Sequence, residues 1–315
     1  MTGSSSVTGS SFIRFIKRTI KPFFKSIKHL GIQLLKKITT AHPNGHFYSP
    51  VVNPDELNEY VEALYPNEPI AYGIDFNRQS HVELIAHALK PFMPEYDYPE
   101  TGPEDLNLDF FYTRNSQFSW LDARALYSFL RYWKPKRIVE VGSGYSSLLM
   151  ADVKKRFLDA QTILQCVEPF PRPFLYRADL GFELIKQRVQ DVPIAFFTSL
   201  EAGDLLFIDS SHVCKTGSDV NYLYLKVLPQ LKPGVRIHIH DIFLPSEYPK
   251  EWVFKENRSW NEQYLLHALL IFSSGFRVLF ANYFAFQQFP EEIIDALQHP
   301  KRCGFGGGSF YIERI

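Results

Sequence analysis

Val139-Glu140-Val141-Gly142-Ser143-Gly144-Tyr145-Ser146-Ser147 joins a short apolar run, Ile138 to Val141, to a glycine turn and then to a helix expected from Ser146. In an open parallel sheet, a nucleotide-like cofactor lies at such a junction, by the carboxyl ends of the strands. Glycines suit the place, because they take φ > 0 without strain and leave room for a ligand against the backbone. Glu140 argues against a phosphate cradle, since a carboxylate there repels phosphate. The third glycine of a dinucleotide fingerprint would fall among Tyr145 to Ser147, and none is there.

Later apolar runs repeat the arrangement. Thr162 to Val167 ends in Glu168, 24 positions after Gly144. Leu205 to Ile208 ends in Asp209, and Val235 to Ile239 ends in His240-Asp241. Helices are predicted over Leu121 to Trp133, Ser146 to Phe157, Pro173 to Leu180, Ser218 to Leu228 and Asn261 to Phe272. A brief strand is expected at Ile194 to Phe197, and closing strands at Phe276 to Ala281 and Ser309 to Glu313. This alternation predicts an α/β fold with a doubly wound, mostly parallel sheet and helices on both faces.

The order Glu140-Val-Gly142-Ser-Gly144, Glu168, Phe207-Ile-Asp209 and Leu231-Lys-Pro233-Gly234 resembles class I S-adenosylmethionine-dependent methyltransferases. Ile208-Asp209-Ser210-Ser211-His212 with Ile239-His240-Asp241 resembles the branch called methyltransferase family 24, and the similarity runs from about Ser119 to Ile315. The resemblance implies a Rossmann-like sheet of seven strands, S-adenosylmethionine as cofactor, and methyl transfer, with oxygen as the expected acceptor atom. It implies a domain over residues 118–315, preceded by an accessory Pro-rich segment (41–117) and an N-terminal stretch (1–40).

Each strand-end residue then has an expected role. Gly142, Ser143, Gly144 and Tyr145 bring backbone against the methionine and ribose, and Glu140 accepts from the methionine ammonium or the ribose. Glu168 offers a carboxylate to the two ribose hydroxyls, and Asp191 stands near the adenine position. Asp209, which is also an expected cofactor-binding residue, His212 and His240 are the candidate catalytic residues, with His212 the better placed as a general base. Asp209, His240 and Asp241 are candidate ligands for a divalent cation. The long aromatic stretch from Phe243 to Trp260, with Tyr248, Trp252, Trp260 and Arg258, is expected to act as a lid.

Composition narrows the class. Apolar residues make up 45% of the 315, with 28 Phe and 17 Tyr, which is incompatible with a disordered chain. Lys and Arg balance Asp and Glu at 34 each, so no polyanion-binding signature is present and nucleic acid is not an expected partner. Three scattered cysteines fit a reducing, cytoplasmic setting. Residues 12–38 hold eight Lys or Arg and no acid, with apolar residues at three- and four-residue steps and Pro22 as a break. That pattern reads as a basic amphipathic helix: a peripheral membrane anchor, a partner-docking helix, or a helix packed on its own domain. The acceptor is expected to be a small molecule or a glycan- or lipid-linked group. A nicotinamide oxidoreductase of similar fold and a catalytically silent cofactor-binding scaffold are the competing readings.

Overall fold

The structure is a computed structural model that describes residues 41–102, 110–297 and 307–315. The basic stretch at 12–38 lies outside the described residues. The chain divides into two compact units, residues 1–61 and 62–315. In the first, Asn53 caps the short helix Pro54–Leu57 by accepting from the Asp55 amide.

The second unit is built on a seven-stranded sheet. Its strands are β1 (Arg137–Val141), β2 (Ile163–Val167), β3 (Glu183–Ile185), β4 (Leu205–Ile208), β5 (Arg236–Ile239), β6 (Phe276–Ala281) and β7 (Phe310–Arg314). They lie in the order β3-β2-β1-β4-β5-β7-β6. The pairings from β3 through β5 are parallel, while β7 runs antiparallel to both β5 and β6. The doubly wound, mostly parallel α/β sheet is as expected. The strand order reverses between β1 and β4, which places the crevice for a ligand at their carboxyl ends.

The central strands are covered on both faces. Ile138, Val139, Val141 and all four residues of β4 are buried, the continuous apolar pattern of a doubly covered parallel sheet. One covering helix, Trp120–Trp133, has Leu121 through Arg131 buried and ends at Lys134 in a left-handed turn. It packs against Tyr145–Phe157, the helix that follows β1. Earlier in the chain, the helix Arg78–Leu84 docks on β6, where Asn77 Nδ2 donates to the Val278 carbonyl and Ser80 Oγ to that of Leu279.

Several assignments differ from expectation. Ile194 to Phe197 is the start of a helix, Ile194–Thr198, beginning directly after Pro193. The third strand is instead Glu183–Ile185, a three-residue edge strand with an exposed first residue, too short and too exposed to leave an apolar run. Pro173 to Leu180 forms two 3-10 turns, Pro173–Tyr176 and Ala178–Leu180. Helices at Asn282–Gln288 and Pro290–Leu297 were not expected. Among the described residues, no helix is long and apolar enough to cross a membrane.

Candidate active site

Four strand ends set out the site, and the sheet's own hydrogen bonds fix them. One residue beyond each strand, the backbone ladder continues: Gly142 N donates to Val167 O, Glu168 N to Ile185 O, Asp209 N to Val141 O and His240 N to Ile208 O, all at 2.9–3.0 Å. These residues are therefore held as rigidly as the strands that carry them. Gly142 sits at φ +85°, and a Cβ there would fall 1.8 Å from the Asp209 carbonyl oxygen. Only glycine lets the turn pass that close to the neighbouring strand end.

A cavity of about 530 Å³ opens over these ends. Its walls include Gln117, Ser143, Gly144, Tyr145, Glu168, Arg172, Asp209, His212, His240, Asp241, Trp252 and Trp260. A second hollow of about 370 Å³ shares Gly142, Glu168, Asp209, Ser210 and Ser211 with it and is closed by Phe170, Val189 and Gln190.

At the floor, acids and imidazoles alternate. Glu262 Oε2 lies 2.9 Å from His212 Nδ1, and His212 Nε2 lies 3.4 Å from both Asp209 Oδ1 and Asp241 Oδ2. Asp209 Oδ1 is also 3.3 Å from His240 Nδ1, whose ring presents Nε2 to Asp122 Oδ2 at 3.4 Å. Asp122 is itself held by the Asn282 side-chain amide and by the backbone N–H groups of Gly308 and Ser309. Gly307, at φ +80°, lets the chain close over that carboxylate, where a Cβ would stand 2.5 Å from Oδ1. His212 and Asp241 both adopt left-handed backbone conformations, at φ 59° and 58°. Such conformations are costly for non-glycine residues and gather where a site dictates side-chain direction.

This environment fixes charge states. Burial opposes a charged His212, yet hydrogen bonds to Asp209 and Glu262 and the Asp241 charge raise its pKa to about 10. Burial opposes a charged His240 too, but Asp241, Asp209 and Asp122 outweigh it and raise the pKa well above the ordinary value. Asp209 is driven well below the carboxylate range: burial works against ionisation, and the His240 and His212 charges overcome it. Asp241 and Glu262 are raised, in both cases chiefly by burial. Both nitrogens of each ring face carboxylates, which only accept hydrogen bonds when ionised. Both rings therefore favour the protonated form, in which their nitrogens donate to these carboxylates. Asp209, grouped with them as catalytic, sits between the two rings.

The expected cofactor-binding residues separate into two groups. Ser143, Gly144, Tyr145, Glu168 and Asp209 line the cavity with Gly142. Glu168 is braced by Ser143 N at 3.2 Å and Phe170 N at 2.7 Å. Glu140 does not reach it. Its side chain is wholly buried, with Ser146 Oγ and Ser147 Oγ donating to its two oxygens, and burial raises its carboxyl to about 7. Glu140 instead ties the start of the Tyr145–Phe157 helix to β1. Asp191 is also turned away, its carboxylate paired with Arg188 at 2.8 and 2.9 Å. Its neighbours Val189 and Gln190 wall the second hollow in its place.

Asp122, Glu262 and Arg172 are site residues that the sequence did not disclose. Asp122 and Glu262 are the single acids of their helices, and the one available signal was a charge at a position due to be buried. In the expected lid, Trp252, Glu256, Arg258 and Trp260 wall the cavity, with the Trp260 ring 4.4 Å from that of His212. The Arg258 guanidinium lies over both indoles, at 4.1 and 4.5 Å. Lys250 and Lys255 face Tyr65 and Glu251 instead.

Asp209, His240 and Asp241, the expected cation ligands, offer donor atoms within 4.8 Å of one another. A divalent cation bound there would displace the proton that His240 Nδ1 shares with Asp209. A methyl-donor cofactor fits the cavity on a separate observation. Glu168, braced by the Ser143 and Phe170 amides, and the tight turn at Gly142 leave a carboxylate and open backbone at the cavity wall for a ligand.

Residues 139–242, from β1 to just past β5, match the family model described as a methyltransferase domain, methyltransferase family 24. Together with the strand order and the strand-end site, this makes the chain a class I S-adenosylmethionine-dependent methyltransferase. It belongs to the same family as an uncharacterized protein of Archaeoglobus fulgidus, with which it is 38% identical over 181 residues, 54% of this chain and 79% of the relative. Among solved structures it is similar to the O-methyltransferase TomG from Streptomyces achromogenes (16% identity, 82% of this chain, 96% of that one, TM-score 0.39). It is also similar to an O-methyltransferase from Bacillus cereus (14% identity, 82% and 97%, TM-score 0.38). Likenesses this loose support no inference about acceptor or mechanism.

Proposed function

We propose that the protein methylates a hydroxyl oxygen on a small molecule or on a glycan- or lipid-linked group. The observation that carries this reading is the pair of carboxylates at adjoining strand ends, Asp209 and Asp241, held between His212 and His240 at the floor of the cavity. S-adenosylmethionine, when bound, supplies the methyl group. The second hollow, with Phe170, Val189 and Gln190, suits the adenine, and Glu168 suits the ribose hydroxyls.

The chain's own residues hold the acceptor and take its proton. An acceptor oxygen over Asp241 donates its hydrogen to that carboxylate, which burial makes the more basic of the strand-end pair. The proton leaves the oxygen as the new carbon–oxygen bond forms. His212 and His240 keep the neighbouring negative charge in place, and Trp252 and Trp260 shield the floor from water. If the basic stretch at 12–38 docks on anionic lipid, it would bring the site to a membrane-borne acceptor; flotation with liposomes unaffected by deleting 12–38 rules that out.

Transfer of an isotope-labelled methyl group into fractionated metabolite extracts tests the reading. Label should enter a base- or acid-defined oxygen position with the wild type and fall about 100-fold or more with Asp241→Asn, in the range of general-base contributions. Undiminished labelling by Asp241→Asn would rule out the proposed proton path.

A further inference from the structure

Among the described residues, Arg172 is a cavity-lining cation without an acidic partner. Arg172, on the loop after β2, lines the wall, and its Nη2 donates to the neutral Gln117 side chain at 2.5 Å. Its guanidinium also stands 5.8 Å from the centre of the Tyr145 ring. Among the described residues, no carboxylate lies within ion-pair distance of it. Arg258, across the cavity, is by contrast paired with Glu256.

Other observations converge on the same wall. Gln117 Oε1 stands 3.9 Å from where a Cβ on Gly144 would be, so the Arg172–Gln117 pair abuts the start of the 13-residue helix Tyr145–Phe157. The first amides of a helix have no intrahelical partner, and its dipole favours negative charge there. The cavity also carries acids: Glu168, which accepts from the Ser143 amide, and Asp209 and Asp241 at the ends of β4 and β5. Within this cavity an anion is favoured by Arg172, and a cation by the strand-end acids. A planar guanidinium fork matches a carboxylate in both shape and charge.

We infer that Arg172, oriented by Gln117, is the specificity residue for a carboxylate at the helix-start end of the cavity, and that this carboxylate is the one on the methionine portion of the methyl donor. The inference rests on the reading of the cavity as a methyl-donor site. The same chemistry could be presented by an acid group on the acceptor, and the test separates these sources.

Isothermal titration with S-adenosylmethionine and with its decarboxylated analogue, on wild type and on Arg172→Gln, is the experiment. Arg172 lies on a loop and is partly exposed, and a thermal melt confirms that the variant is folded. The wild type should prefer S-adenosylmethionine by about tenfold or more, as expected for a charge-assisted hydrogen-bonded pair. Arg172→Gln should erase that preference and leave the affinity for the decarboxylated analogue unchanged, while Arg172→Lys should restore part of it. If Arg172→Gln keeps the full preference, the donor's carboxylate is held elsewhere and the inference fails; an acceptor acid then becomes the anion to seek. If both ligands weaken equally, Arg172 acts structurally and the inference also fails. If the wild type binds neither ligand, the methyl-donor reading itself fails.

Discussion

Glu262 Oε2 lies 2.9 Å from Nδ1 of His212, and both side chains are withdrawn from solvent. The pair closes one end of a chain of acids and imidazoles that passes through Asp209 and Asp241 to His240 and stops at Asp122. Its stability and chemistry follow from one condition: each buried charge has an opposite neighbour.

Glu262→Ala should therefore do more than remove a contact. It leaves the His212 charge short of its main hydrogen-bond partner in a dry site, and breaking a buried pair from one side costs about 3–5 kcal/mol. Glu262→Gln keeps the shape and one acceptor oxygen and should cost less than half as much, while lowering methyl transfer about tenfold. Denaturant unfolding and initial rates on the two variants check both statements; equal stability of Glu262→Ala and wild type contradicts them.

Asp122 gives a prediction at the other end. It accepts from Asn282, Gly308 and Ser309 as well as facing His240, so Asp122→Ala orphans several buried donors together. A loss of about 3–5 kcal/mol is expected. The spectroscopic mark is a fall in the pKa of His240, readable by imidazole NMR titration.

His81 and His212, both buried, contribute to opposite limbs of the pH–stability curve. His81 accepts from the Ala281 amide through Nε2, so Nδ1 carries the hydrogen donated to the Asn77 carbonyl. Burial lowers its pKa to about 4, with the nearby Arg78 charge adding to the effect, against hydrogen bonds that favour the charged ring. The unfolded chain binds this proton near pH 6.5 and the folded chain only near 4, so stability is lost as pH falls through that window, by up to about 3 kcal/mol. His212 works in the other direction. With a folded pKa of about 10, its contribution is fully present below 6.5 and is lost as pH rises towards 10. His81→Gln, which can still accept from Ala281, should flatten the acid limb and leave the alkaline limb alone. An acid limb as steep in His81→Gln as in the wild type would contradict the contribution of His81.

Gly142→Ala should separate fold from site. The added Cβ meets the Asp209 carbonyl and must sit at φ +85°, so the turn and the β4 end are forced apart. A cost of a few kcal/mol is expected from strain and overpacking, together with loss of donor binding. Wild-type affinity in a folded Gly142→Ala variant would show that the turn does not position the ligand.

The strand ends were legible because β1, β4 and β5 are short, largely apolar runs that stop at the Gly142 turn, at Asp209 and at His240-Asp241. A ladder bond one residue further fixes that residue in place, so sequence position translates directly into site position. β3 was missed because three residues on a sheet edge bury too little to leave a pattern. Asp122 and Arg172 were missed for another reason: their partners lie 118 and 55 residues away, and nothing local marks the meeting. Glu140 was read correctly as a strand-end acid, but its pairing with Ser146 and Ser147 consumes both oxygens within one helical turn. Charge states were the least legible feature, since the protons on His212 and His240 depend on several acids contributed by different elements.

The central claim is that the cavity above Gly142, Glu168 and Asp209 holds S-adenosylmethionine, and isothermal titration tests it most directly. Wild type should bind S-adenosylmethionine and not NADH, and Glu168→Ala should weaken that binding about tenfold or more, the effect of removing a carboxylate that two ribose hydroxyls share. Binding of NADH alone, or an affinity for S-adenosylmethionine unchanged by Glu168→Ala, would contradict the account.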